Sequence, residues 1–305
     1  MKKGESGMAK PSDDPRAPRA NESALPISNV QLPNQVDVSY PLTIENRQSA
    51  IGEVSGFELQ TIRILRDPPL DGPTNMARDE ALLIHVGEGR SPPTLRFYDW
   101  NPPTISLGYF QPFKDFEELE PPEQRLAVVR RITGGGAILH DRELTYSLTL
   151  PIDHPLLVGG PNQLYERFHD AVIAALGEWR VDTWRGAPSD DSGAAKGPFF
   201  CFERRHRFDV LLGSAKIAGS AQRRTRTAVL QHGSILLSDL LARGPGHSSP
   251  TVDRQFSERL CRQITSHFAA SAGLFASAGE WMTHEYTVAE CLFHKYSGND
   301  WTHRT

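Results

Sequence analysis

In the stretch FFCFERRHRFDVLLGSAKIAGSAQ, residues 199–222, a lone cysteine precedes a cationic run and then a lysine set among small residues. A free thiol ionises near pH 8.5, and an ammonium held beside it lowers that to roughly 3.5–7.5, which makes a thiolate nucleophile available near neutrality. Most lone cysteines are small buried hydrophobes. Cys201 differs in following a Gly-rich loop, in being followed closely by arginines, and in belonging to no helical core stripe. Lys216 lies between Ala215, Ile217, Ala218 and Gly219, where little side-chain bulk leaves room for a ligand. Most strand lysines simply point to water. Yet Gly219 and Ser220 are poor strand residues, a local inconsistency of the kind found at functional sites. Gln222 adds an amide that could orient a carbonyl.

A second constellation is RRITGGGAILHD. Gly134, Gly135 and Gly136 permit positive φ and close backbone approach, so their N–H groups could wrap an acyl chain or an adenylate. Taken alone, the triplet is equally a flexible turn. Its spacing matches neither GxGxxG nor the P-loop, which disfavours a Rossmann nucleotide site and a kinase-type phosphate cradle. His140 and Asp141 follow the loop, and they read either as a strand-end histidine with a turn aspartate or as part of the site. His232, before Gly233 in LQHGSILL, carries the same ambiguity. The three cysteines, Cys201, Cys261 and Cys291, have no CxxC or Cys/His spacing, so neither a disulfide framework nor a metal site is expected.

These residues need elements to hold them. The pattern predicts a helix from Asn75, with Asn75 as N-cap and Met76, Ala77, Leu83 and Ile84 facing a core. The clearest helix begins near Asn162, where Leu164, Phe168, Ala171, Val172, Ala175, Leu176 and Trp179 keep the helical rhythm. A third runs through DRQFSERLCRQITSHFAA, with Phe256, Leu260, Ile264 and Phe268 at four-residue steps and Cys261 beside them. Thr287 and Glu290 have capping-box spacing ahead of Cys291. Both later cysteines therefore read as structural. Strands are predicted at TISLGYF, LAVVRRI, AILH, TYSLTL and TAVLQHGSILL, with a hairpin from RFDVLL through Gly213 and Ser214 to AKIAGS. GAPSDDSGAAKGP and ARGPGHSSPT read as surface loops, the first placed to act as a lid.

The whole chain has 305 residues, 38% of them hydrophobic, and a net charge of −4. Residues 1–40 have the composition of a disordered tail, and 41–305 read as a single α/β or α+β domain. No apolar run reaches about 18 residues and no secretory signal is evident, so the expectation is a cytoplasmic protein without a membrane. The charge balance argues against nucleic acid, while Arg204, Arg205, Arg207, Arg223, Arg224 and Arg226 make one region basic enough to meet an acidic protein.

RRITGGGAILHDRELTYSLTL followed by AKIAGSAQRRTRTAVLQHGSILL resembles the biotin/lipoate protein ligase catalytic-domain family. NMARDEALL, PTISLGYFQ and KYSGNDW extend the likeness from about residue 60 onward. The resemblance implies a mixed, largely antiparallel sheet flanked by helices. It also implies transfer of an octanoyl, lipoyl or biotinyl group to a lysine of a carrier domain. CFERRHRFDVLLGSAKIAGSAQ and HDRELTYS are similar to the octanoyltransferase type. For that type Cys201 would carry an acyl thioester and Lys216 would lower its pKa and orient the carbonyl. Arg131, Gly134, Gly135, Gly136, His140, Gly219, Ser220, Gln222, His232 and Gly233 would bind substrate, with no cofactor or metal. Acyl carrier protein would be the donor. A lipoyl carrier domain, such as the glycine cleavage H protein or a dehydrogenase E2 domain, would be the acceptor. The chain departs from the type at Gly136, where an arginine is frequent, and at Phe208–Asp209. An ATP- and Mg²⁺-dependent lipoate-protein ligase is the alternative, and a non-enzymatic acyl or carrier-domain binding module is a third reading.

Overall fold

The computed structural model of the protein describes residues 60–186, 198–237 and 250–304, with the side chains of 250–253 excepted. The expected tail, 1–40, and most of the two stretches read as loops lie outside the described residues.

In chain order the elements are β1 (Gln60–Arg66), α1 (Gly72–Gly87), β2 (Thr94–Tyr98), β3 (Thr104–Leu107), α2 (Lys114–Glu117), β4 (Ala127–Arg130), β5 (Ile138–His140) and β6 (Glu143–Pro151). They continue with α3 (Pro161–Gly177), β7 (Trp184–Arg185), β8 (Val210–Leu212), β9 (Ala215–Arg224), β10 (Ala228–Leu236), α4 (Pro250–Ala272), β11 (Leu274–Ala278), α5 (Thr283–Ser297) and α6 (Asn299–Thr302). Eight strands form one sheet in the order β11-β1-β2-β6-β10-β9-β8-β7. β1 runs parallel to β11 and β2, and every other pair in that sheet is antiparallel. A smaller sheet, β4-β3-β5, has β3 parallel to β4 and antiparallel to β5. The expected mixed, mainly antiparallel sheet between helices is the architecture the chain adopts.

Helices cover both faces of the large sheet, so its central strands are buried throughout, yet they are not uniformly apolar. Successive strand residues point to opposite faces. In β6, Leu144, Tyr146, Leu148 and Leu150 therefore join the main core with α3 and α4. Glu143, Thr145, Ser147 and Thr149, equally buried, take the opposite face, toward α1. A buried strand with one polar face needs polar partners on that side, and that side holds the site described below.

Two predicted helix starts are corrected. α1 opens at Gly72, where the Asp71 carboxylate accepts from Thr74 N at 2.8 Å, and Pro73 fits the first turn, whose N–H has no intrahelical partner. Asn75 lies inside the helix, and its buried amide donates to the carbonyls of Leu70 and Asp99, both at 3.1 Å. α5 opens at Thr283, because the Glu285 carboxylate accepts from Met282 N at 2.8 Å. Thr287 is then one turn in, its hydroxyl donating to Thr283 O. Cys291 is exposed, so it has no place in the core. Cys261 is buried as expected, and burial pushes its thiol up to about 12. Strands β1, β2, β7 and β11 carry no predicted counterpart. β1 hides its arginine by a long-range contact, Arg63 to Glu285 at 2.5 Å, which local pattern does not show.

Phe168 is buried between α3, α4 and the sheet, its ring stacked on Tyr146 with centroids 3.7 Å apart. Phe168→Ala is expected to cost about 3–5 kcal/mol, read as a lower midpoint in urea unfolding followed by circular dichroism.

Candidate active site

Cys201 opens a single helical turn, Cys201–Glu203, and is half-buried. Its backbone is stitched to the residue after the glycine triplet. Ala137 N donates to Phe199 O at 3.0 Å, and Cys201 N donates to Ala137 O at 2.7 Å. Gly136 makes that approach possible: a Cβ there would lie 3.0 Å from Phe199 O and 3.1 Å from Cys201 N. The glycine loop and the cysteine are thus one structural unit.

Lys216 reaches the same point from β9. The turn at Gly213, with φ +59°, reverses β8 into β9, and a bulge at Val210/Leu211 shifts the register beside it. The Lys216 ammonium lies 3.7 Å from the Cys201 sulfur and donates to the carbonyls of Cys201 and Arg204 at 3.3 and 3.4 Å. It is buried, and an unpaired buried ammonium would be driven neutral. Asp209 supplies the counter-charge, its carboxylate 3.0 Å from Nζ and itself anchored by His206 N at 2.6 Å. Gly219 leaves the channel for this side chain, since a Cβ there would sit 2.5 Å from Cε and 2.9 Å from Nζ.

The loop of three glycines is held from inside by Arg131. Its guanidinium donates to the carbonyls of Gly134 (2.8 Å), Gly136 (2.7 Å) and Ser106 (2.8 Å), and its Nε to the Thr133 hydroxyl (3.1 Å). Burial pushes this guanidinium down to about 10, against the opposing pull of a charge on Cys201, so it stays cationic at pH 7. Arg131 takes two of the loop's carbonyls, and the N–H groups of Gly134, Gly135 and Gly136 have no hydrogen-bond acceptor among the described residues. Gly135 has φ +94°, and its carbonyl would be 1.9 Å from a Cβ on Gly108. Gly108 is therefore part of the site frame, although no motif singled it out.

These groups border a cavity of about 490 Å³, a volume that includes its open mouth. Arg131, Gly134, Gly135, His140, Gly219, Ser220, His232 and Gly233 all line it with Cys201. Lys216 stands behind that lining, against the sulfur. Gln222 is not brought there: its amide donates to Pro161 O (2.9 Å) and to Gln231 (2.8 Å), which corrects the expectation that it orients a carbonyl. His140 is stacked on Trp100, its Nδ1 on Glu143 and its Nε2 2.7 Å from Ser106 Oγ. Ser220 Oγ sits 2.6 Å from both Tyr146 OH and His169 Nε2, and His169 Nδ1 donates to Phe208 O. Sequence reasoning missed Asp209, Asp79 and Thr133. A signal existed for Asp79: it shares the apolar stripe of Met76 and Leu83, where a carboxylate is out of place.

The family model described as the lipoyl protein ligase A/B catalytic domain matches residues 71–248, and this span contains Cys201, the β8–β9 hairpin, the glycine loop and β10. The chain belongs to that family. It is an acyltransferase. The protein named octanoyltransferase LipM in Moorella thermoacetica is 45% identical over 186 residues, 59% of this chain and 66% of that relative. The protein of the same name in Kyrpidia tusciae is 34% identical over 276 residues, 81% of this chain and all of that one. Among solved structures, lipoate-protein ligase A bound with ATP superposes with a TM-score of 0.58 at 21% identity, over 81% of this chain and 99% of that one. The bi-partite lipoate protein ligase of Thermoplasma acidophilum gives 0.56 at 20%, over 81% and 97%. At those identities the likeness establishes the fold.

Two consequences are testable in this family member. Gly219→Ala is expected to leave the fold intact while displacing the Lys216 ammonium, slowing iodoacetamide alkylation of Cys201 at pH 7 by at most about 30-fold, the ceiling set by the few per cent of thiolate a free cysteine keeps at that pH. Burial lowers His169 from 6.5 to about 4. Stability from its neutral form is complete above pH 6.5 and is lost as pH falls from 6.5 through 4, by up to about 3 kcal/mol. Urea unfolding at pH 7 and pH 4 is expected to show this loss, and His169→Gln is expected to reduce it.

Proposed function

We propose that this acyltransferase takes an octanoyl group from acyl carrier protein onto Cys201 as a thioester, then passes it to a lysine of a lipoyl carrier domain. The observation that carries the reading is the Lys216 ammonium 3.7 Å from the Cys201 sulfur at the border of the cavity. The names of the Moorella and Kyrpidia relatives support octanoyl as the cargo. In the first half-reaction the Cys201 thiolate attacks the donor thioester carbonyl and the donor sulfur leaves as its thiolate. One thioester replaces another, so no ATP is consumed. In the second, the acceptor amine attacks the enzyme thioester, a C–N bond replaces the C–S bond, and the amine's proton goes to the departing Cys201 sulfur. Dividing the transfer this way lets one acyl pocket serve both attacks.

The free N–H groups of Gly134, Gly135 and Gly136 suit the oxyanion of either step, with loop geometry already fixed by Arg131. Lys216, held by Asp209, cannot swing away as charge moves on and off the sulfur. Exposed Arg204, Arg205 and Arg207 follow the nucleophile directly and suit an acidic donor, despite the chain's overall negative charge. Gly136, the departure that favours the ligase alternative, has a local cause here: a side chain would meet the backbone of Cys201.

Mixing with octanoyl-acyl carrier protein in the absence of ATP is expected to add one octanoyl group to the intact mass. Cys201→Ser is expected to abolish the addition and Cys261→Ser to retain it. Octanoate loading only in the presence of ATP and Mg²⁺ would select the ligase instead, and acyl or carrier binding without amide formation on an added lipoyl domain would select the binding module.

A further inference from the structure

We propose that His232 is a positioning residue rather than a substrate ligand: it anchors the glycine loop behind Cys201 to a buried ion pair on α1 and β2, through Thr133 and Arg131. The proposal rests on Cys201 being the acylated group.

The imidazole lines the cavity, but both of its nitrogens are committed elsewhere. Nδ1 lies 3.0 Å from Asp79 Oδ2, and Nε2 lies 2.6 Å from Thr133 Oγ1. The two ends of the chain of hydrogen bonds fix its direction. Arg131 Nε can only donate, and it donates to Thr133 Oγ1 at 3.1 Å. At the other end the Asp79 carboxylate only accepts, so the ring proton sits on Nδ1 and is donated to it. In a neutral ring Nε2 is then an acceptor, and the Thr133 hydroxyl, which takes the Arg131 N–H on one lone pair, gives its proton to Nε2. Burial holds His232 below its usual pKa, although the Asp79 hydrogen bond and charge oppose the shift, so the ring is neutral at pH 7 and can play both parts.

The far end of the relay is held by charge and hydrogen bonds. Asp79 is buried, and burial opposes its ionisation, but hydrogen bonding from His232 and the Arg96 charge outweigh this and hold its carboxyl below the ordinary range. Arg96 donates to Asp79 Oδ1 at 2.7 Å and to Asp67 at 2.8 Å, and Tyr98 OH donates to Asp79 Oδ2 at 2.9 Å. The near end is the site itself. Arg131 grips the carbonyls of Gly134 and Gly136, and Gly136 abuts the Cys201 backbone. Removing the Thr133 hydroxyl would leave His232 Nε2 and Arg131 Nε without their shared partner while barely altering side-chain volume.

The first measurement is the His232 tautomer, read by nitrogen NMR on the unreacted protein with ¹⁵N-labelled histidine. A protonated Nδ1 with a pyridine-type Nε2 is expected, and a proton on Nε2 at pH 7 would overturn the relay. The second is steady-state transfer. Thr133→Val is expected to lower kcat by about 100-fold with the donor KM unchanged within a few-fold, and Thr133→Ser to restore it. His232→Gln is expected to follow Thr133→Val if it folds. A Thr133→Val protein that keeps its kcat, or one that loses affinity alone, would sink the proposal. No transfer by the unaltered protein would count against the reaction proposed above, and the tautomer would still decide the relay.

Discussion

The ammonium of Lys216 is the constraint around which the rest is arranged, because a buried cation is stable only where an anion and good acceptors meet it. Asp209 is that anion, and the carbonyls of Cys201 and Arg204 are the acceptors. The same bonds that satisfy the charge bring it within 3.7 Å of the sulfur. The hairpin turn at Gly213, the bulge beside it and the bare Cα of Gly219 each serve that placement. Without Asp209 the lysine would have to neutralise or leave, and the sulfur would lose its positive neighbour.

Two adjacent arginines at the end of β4 do for the loops what Asp209 does for the lysine. Side chains of neighbouring strand residues diverge. Arg131 goes into the glycine loop, while Arg130, fully buried, turns to Thr302 O, Arg304 O, Gly108 O and Gln111 O. Trp301 Nε1 donates back to Arg130 O at 2.8 Å. Residues 301–304 are thereby fastened to the segment whose Gly108 abuts Gly135. Both guanidiniums grip several main-chain carbonyls at once, a use for which a planar fork is better suited than an ammonium. The placement of the glycine loop thus depends on residues far apart in the chain.

The large sheet separates two tasks. Its face toward α3 and α4 is mainly an apolar core, with Tyr146, Ser220 and His169 hydrogen-bonded at its edge, and its face toward α1 carries Thr145, His232 and Ser234, with α1 itself contributing Asp79. Stability comes mainly from the first, so the second can hold a polar, partly open cavity without the domain coming apart. On the polar half, Glu143 accepts from Ser234 at 3.0 Å, and Trp100 donates to Thr145 at 2.8 Å.

Much of this was legible in the chain itself. The helix from 161 to 177 and the stripe through Leu260, Ile264 and Phe268 follow from periodicity, and the hairpin at Gly213 from turn chemistry. A joint role for Cys201 and Lys216 was an expectation from the resemblance, and the fold is what brings the two within 3.7 Å. Local capping rules placed the starts of α1 and α5 too late, because Asn75 and Thr287 imitate caps while Asp71 and Glu285 supply them. Cys291 and Gln222 could not be sorted by type, since exposure and hydrogen-bond partners belong to the packed chain. Asp209 as counter-ion, Asp79 beneath His232, and Arg130 on the last residues are pairings across tens of residues or across strands. The sequence by itself determined which groups were available for acyl chemistry and the elements bearing most of them. Only the tertiary structure decided which charges meet, because a charge finds its partner through the closing of the fold, and nothing in local pattern encodes that distance.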